Sequence, residues 1–353
     1  MKKLSALNIA AVLVSMAFVI VVGCKKDPSL TGSTEEGEPI EFSVPAGWPE
    51  PVYKFQSNTL SKAGFELGRK LFFETRLSRD NSISCGSCHQ PFAAFAHLDH
   101  AVSHGIDNKL GTRNSPPIFN MNWHTSFFWD GGVNHIVMQP INPIQNPVEM
   151  DEKVENVVSK LAGDAGYRAM FKTAFGDEVV NSQRVFKALA QFMGMMVSSN
   201  SKYDKYVRGE AGGEMTSAEL SGLQVFRNNC ASCHKEPLFS DFTVRNNGLP
   251  TTSVNDSGRA HITKDAADLY KFKVASLRNL RYTPPYMHDG RFSTLEQVLD
   301  YYTSSIHNSG VVDPAIGTSG ITLSAQDKAD LVSFLNTLND ETFVKDKRFA
   351  EVK

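Results

Sequence analysis

Apolar positions recur at helical spacing through most of the chain. Val154, Val157, Val158 and Leu161 fall at offsets 0, 3, 4 and 7, and Leu331, Phe334, Leu335 and Leu338 repeat the pattern. Val185, Leu189, Phe192 and Met196 form a third stripe. Residues three and four apart share one face of a helix, so each stripe predicts a helix with that face buried. Ser324, with Asp327 three positions on, predicts a capping box that opens the helix carrying Leu331. Strand-like alternation is scarce, and the chain reads as mainly α.

The first 50 residues follow another pattern. Met1-Lys2-Lys3 precedes a mostly apolar run from Leu4 to Gly23, and then comes Cys24. A basic start, an apolar stretch and a small residue before the cut describe an export signal, here residues 1–23. The ending VVGC resembles a bacterial lipobox, in which the cysteine becomes the lipidated first residue. An uncleaved span is the alternative, since about 20 apolar residues cross a bilayer. The lone cysteine at the cut favours the lipid. This predicts a periplasmic protein anchored to a membrane through Cys24. The outer membrane is favoured, because Lys25 stands where inner-membrane lipoproteins commonly carry aspartate. Residues 24–50, polar and rich in Pro, Gly, Ser and Glu, read as a flexible tether.

Length and charge narrow the field further. The 353 residues suffice for two domains of roughly 150 each. Hydrophobic residues at 41% and charged residues at 21% exclude wholesale disorder. The net charge of −2, or −4 once Lys2 and Lys3 leave with the signal, provides no basic field for nucleic acid.

The remaining four cysteines carry the chemistry. They lie in CGSCH, residues 85–89, and CASCH, residues 230–234. Cys-x-x-Cys-His is the attachment pattern of c-type haem: two thiols add across the vinyl groups and the next imidazole ligates the iron. His89 and His234 are then the proximal ligands, with Cys85, Cys88, Cys230 and Cys233 the covalent links. A redox pair, a disulfide or a four-cysteine zinc site would explain the cysteines but not a histidine directly after each pair. The surroundings also repeat. Gly68 and Phe72 precede the first motif and Gly222 and Phe226 the second, each pair four apart. Two cytochrome-c-like haem domains are expected, 51–203 and 204–353, packed around an inter-domain site.

Between the two motifs lie LGTRNSP (110–116), FFWDG (127–131) and QPINPIQNPVEM (139–150), and after the second comes LRNLRYTPPYMHDG (277–290), followed by TLEQVLDYY (294–302). In this order they resemble the bacterial di-haem cytochrome c peroxidase family, MauG-like members included, over about residues 55–340. Peroxide cleavage needs a group that moves a proton from the near oxygen to the leaving one, a task suited to a carboxylate in an apolar pocket. The resemblance implies that Glu149 is this acid/base and that Gln139 orients bound peroxide. On the residues alone, Glu149 could equally answer the dipole of a helix opened by Pro147. Trp129 matches the family's tryptophan between the haems, an electron relay by resemblance and otherwise an ordinary buried aromatic. Asn114, with the backbone carbonyls of Thr283 and Pro285, matches the ligands of one inter-domain Ca2+, which such a set would bind with several retained waters.

Two sixth ligands stay open. For the second haem, Tyr302 occupies the position where typical members carry methionine and MauG-like members tyrosine, and Met287 is the competing donor. A phenolate favours higher iron oxidation states and a lower potential than a thioether. For the first haem, His97, His100 and His104 lie in the loop where some relatives hold a blocking histidine, and His104 matches best. His288 belongs to the second pocket or its hydrogen-bond shell. The resemblance implies an enzyme that reduces hydrogen peroxide to water with electrons from a small periplasmic cytochrome c or cupredoxin. The second reading is a MauG-like oxidase acting on a protein or small-molecule substrate through a high-valent haem pair. The third, a di-haem electron carrier without catalysis, has no need of Glu149 and Gln139. A homodimer is compatible with the resemblance.

Overall fold

A computed structural model describes residues 38–304, 306, 311–317 and 319–352. The export signal, Cys24 and the first part of the tether lie outside the described residues. Helix Lys62–Phe72 packs against helix Ser182–Gly194, and helix Ser217–Asn229 against helix Ala325–Asn336. A glycine marks each crossing. A Cβ on Gly68 would stand 2.0 Å from the Ala188 carbonyl oxygen, and one on Gly222 1.9 Å from that of Asp330. Only a residue without a side chain lets the backbones approach so closely. Four residues on, Phe72 meets Phe192 and Phe226 meets Phe334, each at 5.2 Å between ring centroids. The Gly–Phe repeat read in the sequence is thus a repeat of helix packing.

A second repeat is visible only in three dimensions. Asn120 and Asn279 both adopt positive φ, 55° and 62°, a conformation asparagine tolerates well. Their side-chain oxygens accept from the Ser198 and Asp340 N–H groups at 2.9 and 2.8 Å. Each asparagine thereby clamps the chain just after the last helix of its own copy. Seven residues on, Phe127 bridges Val133 and Tyr286 bridges Phe292. Within these turns Gly131 donates to the Phe128 carbonyl and Gly290 to that of Met287, both at 3.2 Å. Phe128 and Met287 are therefore equivalent positions, as are Trp129 and His288. Asn279 Nδ2 also donates to Ser198 Oγ at 2.9 Å, which ties one copy to the other.

The helical stripes form as expected. Val157 and Leu161 are buried on helix Val154–Ala162, and Leu331, Phe334 and Leu335 on helix Ala325–Asn336. Ser324 and Asp327 make the reciprocal bonds of a capping box. Met196 and Leu338 lie just past the ends of their helices but stay buried, because the chain continues along the same core. Strand is confined to the antiparallel pair Val244–Arg245 and Phe272–Lys273 among the described residues.

Three expectations change. Pro147 opens no helix: residues 147–150 form a turn and the next helix starts at Val154. The described end of the tether is packed: Trp48 meets Trp123 at 4.9 Å and Phe42 meets it at 5.9 Å. The chain's last turns, expected in the second domain, bury Phe343 and Phe349 in the core built on Phe72, Phe95 and Phe192.

Candidate functional site

Two cavities hold the two motifs. The first is lined by Cys85, Cys88, His89, His104, Gln139 and Glu149, among others. The second is lined by Cys230, Cys233, His234, Met287, His288 and Tyr302, among others. The first encloses about 590 Å³ and the second about 240 Å³. The first is thus the roomier of the two.

The first motif forms a single helical turn, Cys85–Cys88, with Ser84 and Ser87 as its capping box. His89 follows, and its Nδ1 lies 2.8 Å from the Phe95 carbonyl. His234 Nδ1 lies 3.1 Å from the Phe239 carbonyl. A carbonyl only accepts, so Nδ1 carries the proton in both rings and Nε2 keeps the lone pair that binds a metal. Desolvation lowers the pKa of both imidazoles and keeps them neutral.

The cysteines fit thioether formation and little else. Neither pair is joined as a disulfide. Desolvation pushes Cys85 and Cys230 up to about 12 and Cys88 to about 11, so these walls penalise thiolates. The pairs line different cavities, which excludes a shared four-cysteine site. No three His, Cys, Asp or Glu side chains among the described residues are arranged to hold a metal ion. A covalently bound haem meets every feature: neutral sulfur links, an oriented imidazole and a largely apolar enclosure.

Glu149 stands in the wall of the first cavity. Burial raises its pKa, partly offset by the amide of Asn146, which donates to Oε1 at 2.9 Å. Its charge in turn contributes to the raised pKa of both Cys85 and Cys88, so the carboxyl lies close to the attachment pair. The helix-start role is excluded by the turn at Pro147. Gln139, buried, shares the cavity.

Among the described residues, Trp129 and Asn114 are the two that line both cavities. The indole Nε1 donates to the Asn114 carbonyl at 2.8 Å, so the pair forms one hydrogen-bonded partition. The Asn114 N–H donates to the His288 carbonyl at 2.8 Å, and its side-chain amide donates to the carbonyls of His100 and Ala101 at 3.0 and 3.3 Å. Thr283, Pro285 and Asn114, the three residues expected at a calcium ion, all line the second cavity.

The loop histidines form a stack. His97 and His100 lie parallel at 3.9 Å, and His104 meets His100 edge-on at 4.5 Å. His97 is buried with its Nδ1 unpartnered, and burial first, then its histidine neighbours, lowers its pKa to about 4. His104 is exposed and lines the first cavity.

In the second cavity, Asn247 donates through Nδ2 to the Tyr302 hydroxyl at 3.1 Å and lies 3.8 Å from the Met287 sulfur. Burial raises the Tyr302 pKa, and the asparagine bond works against it. His288 stacks on Phe272 at 3.7 Å, consistent with a place in the pocket wall. Asn146, Asn247 and the cavity-lining Lys273, whose ammonium desolvation lowers to about 8, were not legible in the sequence. Their roles come from neighbours far along the chain, and no spacing announces them.

Comparison with known proteins agrees with this geometry. The family model described as "Di-haem cytochrome c peroxidase" matches residues 62–212. The methylamine utilization protein MauG of Methylorubrum extorquens is 33% identical over 344 residues, 94% of this chain and 95% of that protein. The cytochrome c551 peroxidase of Nitrosomonas europaea is 35% identical over 257 residues, 71% and 76% of the two chains. The crystal structure of a MauG-like protein associated with microbial copper homeostasis superposes with a TM-score of 0.79 at 30% identity, covering 88% of this chain and 99% of that one. The diheme peroxidase BthA of Burkholderia thailandensis, 23% identical, shares the fold with a TM-score of 0.71. The mainly helical chain, with its two haem-attachment motifs in separate cavities, is an oxidoreductase that belongs to the di-haem cytochrome c peroxidase family.

Proposed function

We propose that the protein reduces hydrogen peroxide to water, H2O2 + 2 e⁻ + 2 H⁺ → 2 H2O, with electrons from a small periplasmic cytochrome c or cupredoxin. The observation that supports this most is Glu149, a half-buried carboxyl of raised pKa beside the first attachment pair. When bound, the two haems supply the iron that takes peroxide in the first cavity and the electron store in the second. Asn146 occupies one carboxyl oxygen, which leaves Oε2 free to take a proton from peroxide and return it to the departing oxygen. Gln139 orients the peroxide. Electrons entering at the second cavity cross the partition through Trp129. His89 and His234 would hold the irons through Nε2, and Tyr302 would ligate the second in its resting state. Asn114 and the Thr283 and Pro285 carbonyls hold one calcium ion. The periplasmic site and the Cys24 lipid anchor belong to the same reading.

The test is peroxide-dependent oxidation of a reduced cytochrome c by the holoprotein. Glu149→Gln should keep both haems and lose about 10²–10⁴-fold in turnover, the usual worth of a positioned acid/base. Near-normal turnover removes the assignment. Activity of the fully ferric enzyme without prior reduction would show that His104 does not block the first iron. Tyr302 and the MauG relative favour a second reading, oxidation of a protein or small-molecule substrate. A covalent change in a co-expressed partner, with no oxidation of cytochrome c, would select it.

A further inference from the structure

The second cavity offers two donors of opposite character on one amide. Asn247 is fixed by its neighbours: its backbone carbonyl accepts from the Tyr301 hydroxyl at 2.8 Å and its side-chain oxygen from the Leu249 N–H at 3.4 Å. An N–H can only be answered by the oxygen of the amide, so the NH2 end must face the other way. There it finds two acceptors, the Tyr302 oxygen at 3.1 Å and the Met287 sulfur at 3.8 Å. Both side chains line the cavity that holds Cys230 and Cys233.

The internal repeat explains why Met287 faces that cavity. Its equivalent, Phe128, lines the first cavity from the same position in the same turn, at φ 65° against 76° for Met287. The turn therefore aims this residue at the attachment pair in both copies. A phenyl there can donate nothing. A thioether can bind iron.

Ferric iron is the harder ion and prefers an anionic oxygen, whereas ferrous iron accepts a soft sulfur. We propose that the second haem exchanges ligands with its redox state: Tyr302 holds the ferric iron, Met287 the ferrous iron, and Asn247 keeps the waiting ligand in place. On reduction the phenolate leaves the iron and takes one proton from solvent to become a phenol. The sulfur fills the vacated position through a lone pair, and its own oxidation state does not change. The electron is the one delivered by the donor of the peroxidase reaction. Oxidation reverses each step. The exchange rests on the reading of Tyr302 as the resting ligand, and sulfur ligation then steadies the ferrous state that reduction has formed.

The test uses full-length holoprotein with both haems attached. Wild-type ferric protein should lack the long-wavelength sulfur-to-iron charge-transfer band. Tyr302→Phe should acquire that band, because Met287 then binds the ferric iron unopposed; a variant without it shows that the sulfur cannot reach, and overturns the proposal. In the reduced state, Met287→Leu should bind one more carbon monoxide per chain than wild type, since the second ferrous iron loses its sixth ligand. Equal binding overturns the exchange and leaves Tyr302 as ferric ligand intact. A sulfur band already present in wild-type ferric protein overturns the Tyr302 reading itself.

Discussion

At the residue scale, Glu149 can be tested by its effect on stability as well as by turnover. The carboxyl of an unfolded chain ionises near its ordinary pKa of about 4.3, but the half-buried, desolvated Glu149 ionises later. Between the two values the folded state keeps a proton that the unfolded state has lost, so stability falls as pH rises through that window. Glu149→Gln removes this penalty and can still accept the Asn146 bond. The variant should melt above wild type near neutral pH and together with it below about pH 3, where both side chains are neutral in the folded and unfolded chains. A lower melting temperature at neutral pH would show that the carboxyl is not held in an unfavourable place. Trp129 makes a separate case. Its indole bonds across the partition, so Trp129→Phe removes both the hydrogen bond and the more easily oxidised ring. Transfer between the haems should slow with haem content unchanged, and an unaltered rate in flash reduction would reject the relay.

At the scale of elements, the sequence disclosed what apolar periodicity can encode. The three stripes, the Ser324 cap and the Gly68–Phe72 and Gly222–Phe226 pairs all became helices with the expected faces inside. The crossings depend on their glycines. Gly222→Ala would drive a methyl group into the Asp330 carbonyl at 1.9 Å, and backbone cannot move aside as a side-chain tip can. Overpacking of this kind costs about 1–3 kcal/mol or more, read as a lower denaturant midpoint; an unchanged midpoint would mean that the two helices can separate freely. The turn repeat at Asn120 and Asn279 stayed hidden because it is built from positive φ and side-chain-to-backbone bonds, which leave no hydrophobic pattern. Pro147 misled for a related reason: a proline suits a turn as well as a helix start, and Asn146 settles the choice by accepting from the Val148 N–H at 3.1 Å.

At the scale of the whole molecule, the two cavities meet at one small wall, which Trp129 and Asn114 line from both sides. Asn114 bonds the first-cavity loop through its amide, Trp129 through its carbonyl and the second-copy turn at His288 through its N–H. Such a hub has no signature along the chain, since its partners lie 13 or more positions away; only the resemblance pointed to Asn114, and it did so for an ion. The return of Phe343 and Phe349 to the first core was equally illegible, because the sequence says that they are apolar but not which core receives them. A calcium ion on Asn114, Thr283 and Pro285 would pin the same wall from the second side. Oxygen donors that include no carboxylate bind it only moderately, so a strong chelator should strip it from the holoprotein. Stripping should slow transfer between the haems, leave both covalently attached, and be reversed by added Ca2+ but not by Mg2+, which holds its waters more tightly and demands near-octahedral geometry. Metal analysis that finds no calcium in the untreated protein, or transfer that proceeds at the same rate after chelation, would leave the wall to its hydrogen bonds, those of Asn114 and the Lys273 N–H on the Trp129 carbonyl at 2.6 Å.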